Sequence, residues 1–174
     1  MPQPGPTLAG FQQFIRLVMG IDTTILPDSS LVIPMALQVA IVIVNPALKI
    51  VCLPTIDAAG VVLGPSQSIY TLACYNLGGD NLINYAQDQA GAAAVDGSEP
   101  PLPFFAWTRK QWNINGFVSG VIQSAGDEST NESMVVQEAA KNFTLADLQS
   151  LKTPYGRTYL GLAQAYGPTT WGLA

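Results

Sequence analysis

The stretch from Trp112 to Tyr166 constrains this chain most, because it sets two unlike signals side by side in a fixed order. Gly116 to Val136 is small and polar, with short apolar alternations around a Gly126-Asp127 break. That pattern suits a two-stranded ribbon or an extended arm. Asn142-Phe143-Thr144-Leu145-Ala146-Asp147-Leu148 then opens a short helix, with Thr144 as N-cap and Asp147 three residues on. Proline disfavours α geometry in the residue ahead of it, so that helix halts before Thr153-Pro154. A second helix starts at once, since Pro154 is well placed at a first helical position. Tyr155, Tyr159, Leu162 and Tyr166 follow at spacings of four, three and four, which predicts one apolar stripe.

The whole chain of 174 residues is 48% hydrophobic and only 11% charged. It is long enough for one core, and we expect a single domain. Soluble proteins are ordinarily about a quarter charged, so much of this surface must be Gly, Pro, Ser, Thr, Asn, Gln or apolar. Such a surface points to burial between subunits, the alternative being a protein that is merely sticky. A net charge of −5 argues against gripping nucleic-acid phosphates, which needs clustered Lys and Arg. Only Arg109 and Lys110 are adjacent. An acidic wall is compatible with a conduit through which DNA slides without sticking.

Leu31 to Leu53 resembles a membrane span at first sight. Its uninterrupted apolar run is only Val39 to Val44, and Pro34 and Pro46 interrupt it at both ends. A spanning helix needs about 20 mainly apolar residues. The better reading is a helix from about Ser30 to Val44 that tolerates Pro34 in its first turn, then a short helix with Asn45 as N-cap and Pro46 at its first position. A helix this apolar is expected to be buried on nearly all sides. Periodicity alone leaves a buried strand over Val39 to Val44 open.

Elsewhere, Met1 to Thr7 is proline-rich and should be extended. Phe11, Phe14, Ile15 and Val18 predict a short amphipathic helix that Gly20 could end. Pro54 to Pro65 reads as a loop or brief hairpin. Ser66 to Gln87 is the longest helical candidate, with Ile69, Leu72, Ala73, Asn76, Leu77, Asp80, Ile83 and Asn84 on one face. Gly78-Gly79 predicts a kink or the close approach of a neighbouring helix. Gln87 to Pro103 should be a surface loop. Phe104, Phe105, Trp107 and Trp112, gathered around Arg109 and Lys110, suit core or subunit-interface aromatics better than base stacking. At the C-terminus Gly167-Pro168 stops the last helix, and a tail holding Trp171 and Leu173 should be docked.

There is no histidine, which removes the usual general base and the commonest metal ligand. No phosphate-loop or dinucleotide fingerprint occurs. Asp127, Glu128 and Glu132 lack a calcium-loop pattern and read as solvated arm residues. Cys52 and Cys74, in apolar surroundings and without a Cys-x-x-Cys pattern, read as free buried thiols. The N-terminus does not read as a secretory signal.

The order from Gly120 to Ala125, through a polar arm and a short helix, to Thr153-Pro154-Tyr155-Gly156-Arg157-x-Tyr159-Leu160-x-Leu162 resembles tailed-phage head-tail adaptor proteins, also called head completion or connector proteins. Asp28 to Val32, running on to Ala40 through Pro46, looks like that family's first helix, and Ser68 to Leu77 like its second. The resemblance implies a mainly α fold: a small helical bundle with an extended β-hairpin-like arm at about 116–136 and a C-terminal tail at about 166–174. It implies a structural protein and not an enzyme, with no cofactor or metal. Copies would form a ring, a dodecamer, that joins the portal vertex of the capsid to the tail and forms part of the DNA channel. Its partners would be the portal protein, a tail or stopper/nozzle protein and other copies of the chain, with DNA passing through unread and no membrane involved. It would be assembled in the host cytoplasm and reside in the neck of the virion. The resemblance places Tyr155, Arg157, Tyr159, Tyr166, Trp171 and Leu173 at a portal or subunit interface. Val121, Gln123, Asp127, Glu128 and Glu132 would lie on the arm, against a neighbour or the tail. Alternatives are another neck or tail ring, such as a stopper or tail terminator, a membrane-associated helical protein built on residues 31–53, and an enzyme with a carboxylate pair.

Overall fold

Local chemistry starts and stops the helices. The structure is a computed structural model and describes residues 5–50, 52–56, 62–95, 97, 100–116, 124–127, 130–133 and 149–167. Helix α1 spans Leu8–Leu17 and is capped by Thr7, whose hydroxyl accepts from the Gly10 amide. Beyond it Gly20, at φ +67°, turns the chain so that the Ile21 amide donates to the Ile15 carbonyl. Phe11, Phe14 and Ile15 are buried as their spacing predicts, whereas Val18 is exposed because it already lies in the turn. Arg16 pins the following loop, donating to the carbonyls of Ile21 and Leu26 and to the carboxylate of Asp28.

Helix α2 spans Val32–Ile43 and carries Pro34 in its first turn, where a missing N–H breaks no helical bond. Residues 39–43 are therefore helix and not strand. The Asn45 side chain accepts from the Ala47 amide and starts the 3-10 turn Pro46–Ile50. Cys52–Ile56 (β1) and Val62–Ser68 (β2) pair antiparallel, from Cys52 opposite Ser68 to Ile56 opposite Val62. The expectation that α2 is buried on nearly all sides is wrong. Ile33, Ala36, Leu37 and Ala40 face inward, while Leu31, Met35, Val39 and Val42 are exposed. An all-apolar helix carries no internal signal of which side packs, and here only one side meets the body.

Helix α3, Ile69–Tyr85, is capped by Ser68, whose hydroxyl accepts from the Thr71 amide. It was expected to bury one face, but thirteen of its seventeen residues are buried, because every other described α-helix packs on it. Gly78 makes the approach of α1 possible: a Cβ there would lie 2.8 Å from the Phe11 ring. Gly79 similarly faces Met19 and Phe14. The glycine pair thus marks close packing, one of its two predicted consequences.

Helix α4, Phe104–Gln111, is tied to the end of α3 from both directions. The Asp88 carboxylate accepts from the amides of Phe105 and Ala106 at 2.8 and 2.9 Å, so its charge sits at the positive end of α4. In return Arg109 donates to the Ile83 and Ala86 carbonyls at the C-terminal end of α3. Arg109 is therefore engaged in capping, and the fully buried Phe105 belongs to the core. We expect Asp88→Ala to lower stability by about 1–2 kcal/mol, read as a lower urea midpoint with an unchanged slope.

The last described helix, α5, spans Pro154–Tyr166, with Pro154 at its start as the sequence predicts. Two apolar clusters result. One joins α1, α2, α4 and the C-terminal half of α3 around Phe11, Ile15, Leu82 and Phe105. The other joins Ala40, Val44, Leu48, Ile69, Ala73 and Cys74, with Tyr159 and Leu162 packed against it. The body is mainly helical. Ser124–Asp127 (β3) and Thr130–Ser133 (β4) pair antiparallel within the stretch expected to form the ribbon. The short helix expected from Thr144, and the docked tail beyond Gly167, lie outside the described residues.

Candidate functional site

Three features surround the junction of α3 and α5. The first is a carboxylate buried in the middle of α3. Asp80 is 3% exposed and accepts from the Thr153 hydroxyl at 2.5 Å and the Ser150 hydroxyl at 3.3 Å. Thr153 Oγ1 in turn accepts from the Gly156 amide at 2.8 Å, as the N-cap of α5. One hydroxyl therefore joins the central helix to the first turn of the last. Burial pushes the Asp80 carboxyl up to about 6, against the hydrogen bonds from Thr153, Ser150 and Asn84, which act to lower it. Gly156 completes the contact: a Cβ there would lie 2.1 Å from the Ser150 carbonyl oxygen and 2.9 Å from Asp80 Oδ1.

The second feature faces the other way from the same turn. Lys152 Nζ donates to the carbonyls of Ile114 and Gly116 at 2.9 and 2.5 Å, and Gln149 Nε2 donates to Ile114 at 3.2 Å. Ile114 and Gly116, which precede residues 117–148, are thus held against Gln149 and Lys152, which follow them. The turn 149–153 grips Ile114 and Gly116 with Gln149 and Lys152, and grips α3 with Ser150 and Thr153.

The third feature is a groove of about 780 Å³ between α1, α3 and α5. Phe14, Leu17 and Val18 form one wall, Leu72 and Asn76 the floor, and Pro154, Tyr155 and Thr158 the other wall. At its inner edge the Tyr75 hydroxyl accepts from the Thr7 amide and donates to the Thr7 carbonyl, holding the start of α1 against α3. Among the described residues that line it none is charged. A groove of this size could hold a small molecule, but its described lining offers neither a carboxylate nor a cation to act on one. Asp80 does not line it.

The residues singled out from the sequence are distributed unequally over these features. Tyr155 is half-buried in the subunit's own core, edge-on to Phe14 and Trp112, and its outer side lines the groove. Tyr159 is half-buried against the second cluster, while Arg157 and Tyr166 are exposed. The four-residue stripe of α5 is thus divided between core and surface, and Leu160, outside the stripe, is more deeply buried than either end. Asp127 and Glu132 stand opposite Thr130 and Ala125 in the β3–β4 pair. Val121, Gln123, Glu128, Trp171 and Leu173 lie outside the described residues. Sequence reading missed Ser150, Lys152 and Gly156 and placed Asp80 only on a helical face. The available signal was a lone acid beside Gly78-Gly79 in an otherwise uncharged helix.

Cys74 is a buried free thiol, and burial pushes it up to about 11, so it stays protonated and unreactive at neutral pH. Among the described residues no three metal-ligating side chains converge, and no helix is long and apolar enough to cross a membrane. Comparison with protein-family models, curated proteins and solved structures gave no match to the chain.

Proposed function

We propose that this chain is a structural subunit of a tailed-phage neck, copies of which form a ring beneath the portal and join the capsid vertex to the tail. It works by assembly and not by catalysis. The observation that carries the reading is the clamp between the two flanks of residues 117–148, where Lys152 holds the carbonyls of Ile114 and Gly116 and Gln149 that of Ile114. A segment whose flanks are held together by the body can engage a neighbour or a tail component without disturbing the helices that carry it. Gly116 to Val136 holds few large apolar residues, too few to pack a core of its own, which suits a segment that packs on a partner. The order of segments that resembles head-tail adaptors supports the same reading. So does a surface poor in charge, and a net charge of −5 suits a channel that DNA traverses without sticking. Arg157 and Tyr166 on the outer side of α5, with Trp171 and Leu173 beyond it, are the proposed portal contacts.

Deleting Ser124 to Ser133 tests this. The helical circular dichroism and melting temperature of the purified chain should be unchanged, while heads carrying the deletion should fail to join tails. Infectious particles at the yield of the intact chain would show that the segment is only a loop and would remove the assignment.

A further inference from the structure

Two apolar surfaces of the body find no counterpart among the described residues of the same subunit. The first is a ridge along α2, where Leu31, Met35, Val39 and Val42 are 77%, 62%, 47% and 84% exposed. Spacings of four, four and three align them on one side of the helix. No charged residue occurs between Asp28 and Lys49. The second is the groove between α1, α3 and α5, whose open edge carries Leu17 and Val18 at 83% and 59% exposure.

Ridge and groove lie on opposite flanks of the subunit. Along α3, Leu72 and Asn76 face the groove, whereas Tyr70, Cys74 and Leu77 pack with Ala40 and Val44 on the α2 side. At about 100° per residue these two sets fall on opposite sides of the helix. We propose that the α2 ridge of one copy seats in the α1–α3–α5 groove of the next, so that copies join head to tail. The proposal rests on the reading of the chain as a ring-forming subunit and specifies which surfaces meet. Convex and concave apolar surfaces on opposite flanks give a heterologous contact, which repeats into a ring where the rotation closes. Each copy carries −5, and an uncharged ridge in a groove whose described lining is uncharged lets copies approach with least repulsion. A membrane fits the ridge less well: helices that lie on a bilayer carry Lys and Arg on the polar face, and α2 has neither.

Cysteine cross-linking of the full chain separates the outcomes. Val39→Cys and Leu17→Cys are prepared separately, mixed and oxidised, with the unsubstituted chain as control for its own thiols. A linked dimer should form in the mixture and not in either preparation alone, and Met35→Glu, an exposed change that leaves the fold intact, should lower its yield about tenfold or more. Linkage of Val39→Cys to itself would mean ridge against ridge and would overturn the proposal. So would no linkage above control, or flotation with phosphatidylglycerol vesicles that Met35→Glu abolishes. Head-to-tail linkage in a chain that never joins heads to tails would keep the interface and remove the neck assignment. Normal joining by an unlinked Met35→Glu chain would do the reverse.

Discussion

Replacing Gly156 by valine should detach α5 from the body and lower stability by about 3 kcal/mol or more. The site has no room for a side chain, because the first added carbon would meet the Ser150 carbonyl oxygen at 2.1 Å and Asp80 Oδ1 at 2.9 Å. The backbone oxygen cannot rotate away as a side chain could. Either the 149–153 turn moves, which breaks the Thr153–Asp80 and Lys152–Gly116 bonds, or α5 lifts from α3 and exposes Leu160. Thermal melting and limited proteolysis check this, with new cleavage expected within residues 149–156. Gly161→Ala in the same helix is the control. That position is exposed with no atom within 4 Å of an added Cβ, so the change should be neutral or stabilising by up to about 1 kcal/mol. A Gly156→Val chain that melts with the unsubstituted protein would show that the packing of α5 on Asp80 is not close.

Asp80→Asn should raise stability at pH 7.5 by up to about 3 kcal/mol and have little effect near pH 4. In the fold burial pushes the Asp80 carboxyl up to about 6, whereas its ordinary value is 3.8. The folded chain therefore holds this proton more tightly than the unfolded chain does. Below about 3.8 both states are protonated and the contribution is fully present; it is lost as pH rises, and above about 6 both states are ionised and it is gone. An asparagine keeps an acceptor for the Thr153 hydroxyl and a donor for the Ser150 oxygen without a charge to desolvate. The measurement is the difference in urea midpoint between the two chains across pH 4 to 8, which isolates Asp80 from the other carboxyls. A difference independent of pH, or one that grows toward acid, would mean that the hydrogen bonds outweigh burial and that Asp80 is ionised at little cost.

Both effects depend on a junction whose halves differ in how well the sequence reveals them. Thr153-Pro154 is legible because a cap and a first-position proline act within four residues of each other, and α5 starts where they place it. The partner of that cap is not legible. Asp80 precedes Thr153 by seventy-three residues, and nothing near either residue says that they meet. Asp88 and Arg109 show the same limit. Asp88 lies in a loop that reads as surface, and Arg109 in a segment that reads as an aromatic cluster with two cations, yet together they close the gap between α3 and α4.

What the sequence determined by itself is local. The apolar spacing of Phe11, Phe14 and Ile15, the turn at Gly20, the helical start at Asn45-Pro46 and the break at Thr153-Pro154 each follow from interactions spanning a few residues. So does the need for close packing at Gly78-Gly79, although the neighbour that supplies it is not named there. Tertiary structure alone decided which side of α2 is covered, since a helix apolar all round has no preferred face until others pack against it. It also decided that α3 is enclosed, that an acid within it carries the N-cap of α5, and that Ile114 and Gly116 meet Lys152. These outcomes depend on groups distant in the chain competing for the same burial and the same hydrogen bonds. Only the assembled body, where each choice of neighbour excludes others, settles them.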